Sequence, residues 1–78
     1  MNKKIYDEWI KINIELNSKL EVLKEVNKER ETIIKETEEN GLTDEVRNKM
    51  DESIKLYERL LDEIKLFNLK SQKIKESL

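Results

Sequence analysis

The chain has 78 residues, of which 44% are charged and 5% aromatic, a composition typical of a long helix or coiled coil rather than an ordinary globular core. A net charge of −2 argues against a nucleic-acid binder held by bulk charge, and the lack of cysteine excludes disulfides and thiolate chemistry. So short a chain buries little apolar surface alone, and we expect it to associate with itself or another protein.

The first predicted element is a helix over about residues 4–39, a segment without Gly or Pro. Apolar residues recur in it mostly three or four positions apart, which places them on one stripe of the helix. The members of this stripe are Ile5, Trp9, Ile12, Leu16, Leu20, Leu23, Val26 and Ile33, with Arg30 and Thr37 continuing it as polar residues.

A turn is predicted at residues 40–43, around the only glycine of the chain. Gly41 is free to take the left-handed conformation that often ends a helix. Thr43 can cap the next helix with its hydroxyl, and the acidic residues Asp44 and Glu45 favour the first turn of that helix.

The second helix is predicted over about residues 44–76. Its seam advances by three or four residues at every step, the spacing of a coiled coil. This seam consists of Val46, Met50, Ser53, Tyr57, Leu60, Ile64, Phe67, Ser71, Ile74 and Leu78.

These elements predict an all-α fold: an antiparallel two-helix hairpin resembling a coiled coil, forming one domain over residues 1–78. Folding the chain at Gly41 pairs large residues along the seam, Trp9 with Ile74, Leu16 with Phe67, Leu20 with Ile64 and Leu23 with Leu60. Each arm would be roughly 50 Å long. One continuous helix through Gly41 is the alternative, because a lone glycine costs only about 1 kcal/mol.

Four apolar residues do not fit the seam. Ile10 and Ile14 lie on the back of the first helix, and Leu66 and Leu69 on the back of the second, all near the open end away from the turn. We interpret them as a protein-binding surface, for a second hairpin completing a four-helix bundle or for a client helix. The alternative is scattered surface residues, which are common.

Two further residues of the seam invite more than one interpretation. Trp9 fits a large core plug at the open end, and it is also a candidate protein-binding anchor. Arg30 faces Ser53, so we expect its stem to pack while the guanidinium reaches outward toward Glu52 or another acid. A polar layer that fixes register or partner choice is the alternative for Arg30.

Charge is uneven along the predicted hairpin. Acidic residues gather near the turn and lysines near the open end. Ordinary solvated helix faces would account for this pattern. The alternative is a rod whose basic end meets an acidic partner, or which stacks antiparallel with a second copy.

Catalysis is not expected. The chain has no histidine, the commonest general base, and no glycine-rich loop for phosphate. The Glu-x-x-His pattern of carboxylate-bridged bundles is absent, and the acids fall off the seam. We therefore predict no enzyme activity, no cofactor and no metal.

The N-terminal sequence MNKKIYDEWI lacks the apolar segment of a signal peptide. Together with the lack of cysteine, this predicts a cytoplasmic protein. No apolar run approaches the roughly 18 residues of a membrane span, and neither helix has the broad basic face of a membrane-surface binder. The abundance of Asn, Lys and Ile indicates an AT-rich genome, bacterial or phage.

The segment VNKERETIIKETEENGLTDEVRNKMDESIKLYERLLDEIKLFNLKSQKIKES resembles the central part of the FliT-type flagellar export chaperones. The similar elements are KERETIIKE before the turn, an acidic opening to the next helix, and the spacing of apolar residues leading into a lysine-rich end. The resemblance covers about residues 26–76. It implies a cytoplasmic chaperone that shields a helical segment of an export subunit.

The leading functional hypothesis is a non-enzymatic helical hairpin that binds proteins, such as an export chaperone or adaptor holding a client helix. The second is a structural homodimeric four-helix bundle or assembly component. The third is a small regulator that sequesters a transcription factor. The expected partner is a client helix or a second copy, with a homodimer favoured and neither nucleic acid nor membrane expected.

Overall fold

The computed structural model describes residues 3–78 and consists of two helices packed side by side, α1 (Lys3–Asn40) and α2 (Asp44–Glu76). The prediction of an all-α antiparallel hairpin is confirmed, and the chain does not continue as one helix through its glycine. The observed helices begin and end within one residue of the expected bounds, 4–39 and 44–76.

The turn is built from local backbone chemistry. Gly41 has a φ of +81°, in the left-handed region, and its N–H donates to the carbonyl of Thr37 at 2.9 Å. Thr43 is extended, and its Oγ1 accepts from the N–H of Val46 at 3.2 Å, which caps α2. These bonds satisfy backbone groups that helix ends leave unpaired, and they stop α1 and start α2 within three residues.

A thin core runs along the contact between the helices. Its buried apolar members are Leu16, Val26, Ile33, Val46, Leu60 and Ile64. None of the large side chains in residues 3–78 is fully buried. Two helices alone therefore bury each seam residue on one side and leave part of its surface in water.

The molecule is a narrow rod. Its Cα atoms span 58 × 15 × 13 Å, with a radius of gyration of 17.7 Å. A compact domain of this length would have a radius of gyration of about 12 Å. The hairpin thus presents long side faces, and these faces are the largest surfaces it can offer to a partner.

The predicted seam is wrong at one position of α1. Leu20 was expected to face Ile64, but it lies 38% exposed, whereas Lys19 is partly buried. From Leu16 a heptad seam advances three residues and then four, which selects position 19 rather than 20. The aliphatic stem of a lysine can cover apolar surface while its ammonium stays polar, so the seam tolerates Lys19.

The register of the two helices agrees with the predicted one to within two residues. The prediction places residue 19 level with residue 64, and residue 36 level with residue 47. The structure pairs Lys19 with Glu63 at 2.9 Å and Glu36 with Lys49 at 3.6 Å.

Candidate protein-binding surface

The four residues predicted to bind a partner lie on the outside of the hairpin. Ile14 is 60% exposed, Leu66 51% and Leu69 57%, while Ile10 is 36% exposed and borders the seam. Helical spacing places Ile14 and Leu69 on the outward faces of different helices. A single client helix therefore cannot cover both residues, and their role in binding stays a prediction.

Trp9 lies at the open end of the seam and is only partly buried. Its ring lies 6.0 Å from that of Tyr6, at an interplanar angle of 40°. The indole Nε1 is buried and has no hydrogen-bond partner within residues 3–78. The partial burial of Trp9 fits a core plug. The 38% exposure of Tyr6 beside it leaves an aromatic surface that also fits a binding anchor.

An ionic cluster spans the seam between α1 and α2, in the half of the rod that contains the open end. The Lys19 ammonium donates to Glu63 Oε2 at 2.9 Å and lies 5.1 Å from the centre of the Phe67 ring. Lys70 approaches the same ring at 5.2 Å. The hydrogen bond from Lys19, then its positive charge, and to a smaller extent the charge of Arg59, hold the pKa of Glu63 below its ordinary value.

The pattern of apolar residues alone does not predict this cluster, because Lys19 and Glu63 are charged. The signal was present in the spacing: position 19 falls on the heptad seam between Leu16 and Leu23. A charged residue at such a position requires a partner across the interface. The predicted register already placed position 64 beside it, one residue from Glu63.

A polar layer crosses the seam in the half of the rod near the turn. The Arg30 guanidinium stacks over the Tyr57 ring at 5.0 Å, and its Nε is buried without a hydrogen-bond partner within residues 3–78. Ser53, 6% exposed, likewise has an unpaired Oγ. The stem of Arg30 packs as expected, but the guanidinium stacks on Tyr57, and the structure gives no ion pair to Glu52 in the described chain.

The two sides of the seam differ in chemistry. We name one the charged side: Glu8, Glu15, Val22, Glu29 and Glu36 of α1, with Lys49, Leu56, Glu63 and Lys70 of α2. We name the other the apolar side: Tyr6, Asn13, Leu20, Asn27 and Ile34 of α1, with Arg47, Ile54, Leu61, Asn68 and Lys75 of α2. The members of each row are seven residues apart and so share a helix face.

Ion pairs between the helices follow the charged side. Lys49 contacts Glu36 at 3.6 Å and Glu45 of its own helix at 3.7 Å. Glu63 forms an ion pair with Lys19 of α1. Along the apolar side no ion pair links the helices within residues 5–75. Its large side chains Tyr6, Leu20, Ile34 and Ile54 are between 37% and 47% exposed.

Each side has a depression close to the turn. The one on the charged side measures about 450 Å³, and most of its lining residues are polar, including Glu29, Glu52 and Ser53. The one on the apolar side measures about 380 Å³. Its floor is formed by Ile34, Leu42, Val46 and Met50, with Glu38, Arg47 and Asp51 among its other lining residues. The second depression can receive an apolar or aromatic side chain.

Residues 3–78 contain no group of three or more His, Cys, Asp or Glu side chains placed to hold a metal ion. Neither helix, as far as the structure describes it, has a stretch long and apolar enough to cross a membrane.

No protein-family model, curated protein or solved structure matches the chain. The resemblance to FliT-type chaperones therefore stays a prediction from the quoted segment.

Proposed function

We propose that this chain is a non-enzymatic, protein-binding helical hairpin. Its most concrete form is a cytoplasmic export chaperone or adaptor that shields a client's amphipathic helix. The observation that supports this function is the exposure of Leu66 and Leu69, three residues apart on one outward face of α2 and each more than half exposed on a rod whose own core is thin. Covering such side chains removes apolar surface from water and stabilises the complex.

Charge would direct the approach of the client. Lysines surround the outward apolar residues near the open end, among them Lys11, Lys65 and Lys70. A client helix with acidic residues beside its apolar face would be attracted to this end and repelled by the acidic turn. This arrangement supports a client of net negative charge.

The test is a pair of double variants. Replacing Ile14 and Leu66 with Asp is expected to abolish the capture of a client from cells of the source organism, while circular dichroism shows unchanged helicity. The matched control is Ser18→Asp with Asn48→Asp, which adds the same charge at exposed polar positions. Client capture that survives in the Ile14/Leu66 variant would contradict the surface assignment.

A second candidate function is supported by a different observation, the apolar side of the seam. A homodimeric four-helix bundle, serving as a structural or assembly component, would bury that side. Hairpins that form such bundles use a stripe wider than a strict coiled-coil seam, and Leu20, Ile34, Ile54 and Leu61 widen the stripe here.

A further inference from the structure

We propose that the apolar side binds a second copy of the chain, and that the two hairpins run antiparallel, the turn of one beside the open end of the other. This inference rests on the proposed function in one respect: both treat exposed apolar side chains as protein-binding. It concerns a different surface, because the apolar side leaves the outward residues Ile14 and Leu69 uncovered.

The first argument is the asymmetry between the two sides of the seam. On the charged side two ion pairs link the helices, Lys19–Glu63 and Glu36–Lys49. The apolar side has leucine, isoleucine, tyrosine and asparagine at eight of its positions and charges only at Arg47 and Lys75. A surface with few charges beside a half-exposed seam is what helix–helix packing in a four-helix bundle requires.

The second argument is the charge pattern along the edges of the apolar side. The α1 edge, at seven-residue intervals, consists of Lys3, Ile10, Asn17, Lys24, Glu31 and Glu38. The α2 edge consists of Asp44, Asp51, Glu58, Lys65 and Gln72. On both edges the acidic residues lie in the half near the turn, whereas Lys3 and Lys65 lie in the half near the open end and Lys24 lies close to the middle.

This reversal of sign selects the orientation of the second copy. Two hairpins packed in parallel would place acidic half against acidic half and lysine against lysine, which is repulsive. A two-fold axis perpendicular to the rod places each acidic half beside a basic half.

The two-fold axis would pass close to the middle of the rod, where the apolar side has Leu20 on α1 and Leu61 on α2. An isologous contact repeats the same residues on both copies, so these leucines would meet their own counterparts. At each end, Tyr6 of one copy would lie near Ile34 of the other. The 380 Å³ depression beside the turn offers a place for that aromatic ring.

The available area is sufficient for a stable dimer. One side of a rod 58 Å long and 15 Å wide covers about 870 Å² per copy, and a standard interface buries about 800 Å² per partner. The interface would also complete the burial of seam residues that two helices leave partly in water.

The experiment is sedimentation equilibrium at micromolar concentration on the full chain. The wild type is expected to have twice the 9.4 kDa mass of one chain. Leu20→Asp with Leu61→Asp should yield the monomer, with the dimer dissociation constant raised at least ~100-fold because charges would be buried at the axis. The matched control on the charged side, Val22→Asp with Leu56→Asp, should remain dimeric.

A milder variant guards against loss of folding. Leu20→Asn with Leu61→Asn copies the asparagines that already occupy positions 13, 27 and 68 of the same side, so the hairpin should stay helical. Its dimer should be weakened at least ~10-fold. Dimers that persist in both Leu20/Leu61 variants, or a monomeric wild type, overturn the proposal.

Orientation is measured with spin labels, since the cysteine-free chain accepts single Cys substitutions cleanly. In the antiparallel dimer, labels at Glu21→Cys near the axis should be close together. Labels at Asn40→Cys should be separated by nearly the 58 Å length of the rod. Short distances at both positions indicate a parallel dimer and overturn the proposed orientation.

The outcomes separate this inference from the proposed function. A monomeric wild type that captures a client through Ile14 and Leu66 refutes the proposed dimer and supports client binding. The other outcome is an antiparallel dimer whose Ile14/Leu66 variant captures the same proteins as the wild type. That result supports the proposed dimer and refutes the outward client-binding surface.

Discussion

Gly41 should be the residue on which the hairpin depends most for its turn, and Gly41→Ala tests this directly. The φ of +81° is disfavoured for residues with a Cβ and costs them about 1–2 kcal/mol. A Cβ built on Gly41 meets no atom within 4 Å, so no clash adds to this cost. The lower entropy of alanine in the unfolded chain offsets about 0.4–1 kcal/mol.

The expected net loss is therefore about 1 kcal/mol, which corresponds to a fall in melting temperature of about 4–8 °C for a domain of this size. Urea unfolding and thermal melts followed by circular dichroism measure both quantities. All variants must be compared at one protein concentration, because any association shifts the apparent stability. Gly41→Asn is the control, since asparagine tolerates the left-handed region and should lose less.

The reasoning is refuted if Gly41→Ala is as stable as the wild type. It is also refuted if spin labels at positions 17 and 68 of the wild type are far apart within one chain. In the hairpin these positions lie side by side, whereas a continuous helix would separate them by about 77 Å.

Two further predictions concern polar groups of the seam. Ser53→Ala removes a buried hydroxyl that has no hydrogen-bond partner among residues 3–78, so stability in urea should be unchanged or higher by up to ~1 kcal/mol. A loss of similar size would show that the hydroxyl is bonded, for example to a second copy. The Lys19 contact lowers the pKa of Glu63 in the folded state, so its stabilisation is present above the ordinary glutamate pKa of about 4.3 and is lost as the pH falls through the lowered value. Glu63→Gln should flatten this part of the acid-unfolding curve relative to Glu58→Gln, and equal curves for the two variants would contradict the assignment.

The sequence was most informative where structure is decided by neighbouring residues. Gly41 and Thr43 act through their own backbone and side chain, so the turn could be predicted to within one residue. The ends of α1 and α2 follow from the same local chemistry. The hairpin then followed from matching two seams whose large residues meet in one register.

Contacts that depend on the precise position of one helix against the other could not be predicted. The expected register places Arg30 opposite Ser53, so Tyr57 lies about one helical turn away along α2. A shift of one turn therefore decides whether Arg30 meets Glu52 or Tyr57. A pattern that counts only apolar residues leaves out Lys19, although the aliphatic stem of a lysine can pack in a seam. Exposure of Ile14, Leu66 and Leu69 could be predicted from spacing, but what covers them depends on a partner.

The three-residue connection between the helices has a consequence for how the chain folds. The contact of Glu36 with Lys49 closes a short loop beside the turn, whereas Lys19 and Glu63 are 44 residues apart in sequence. Closing the longer loop directly costs about 1 kcal/mol more in entropy. Folding should therefore nucleate at Gly41 and zip toward the lysine-rich end, whose helical turns fray first whenever the rod opens.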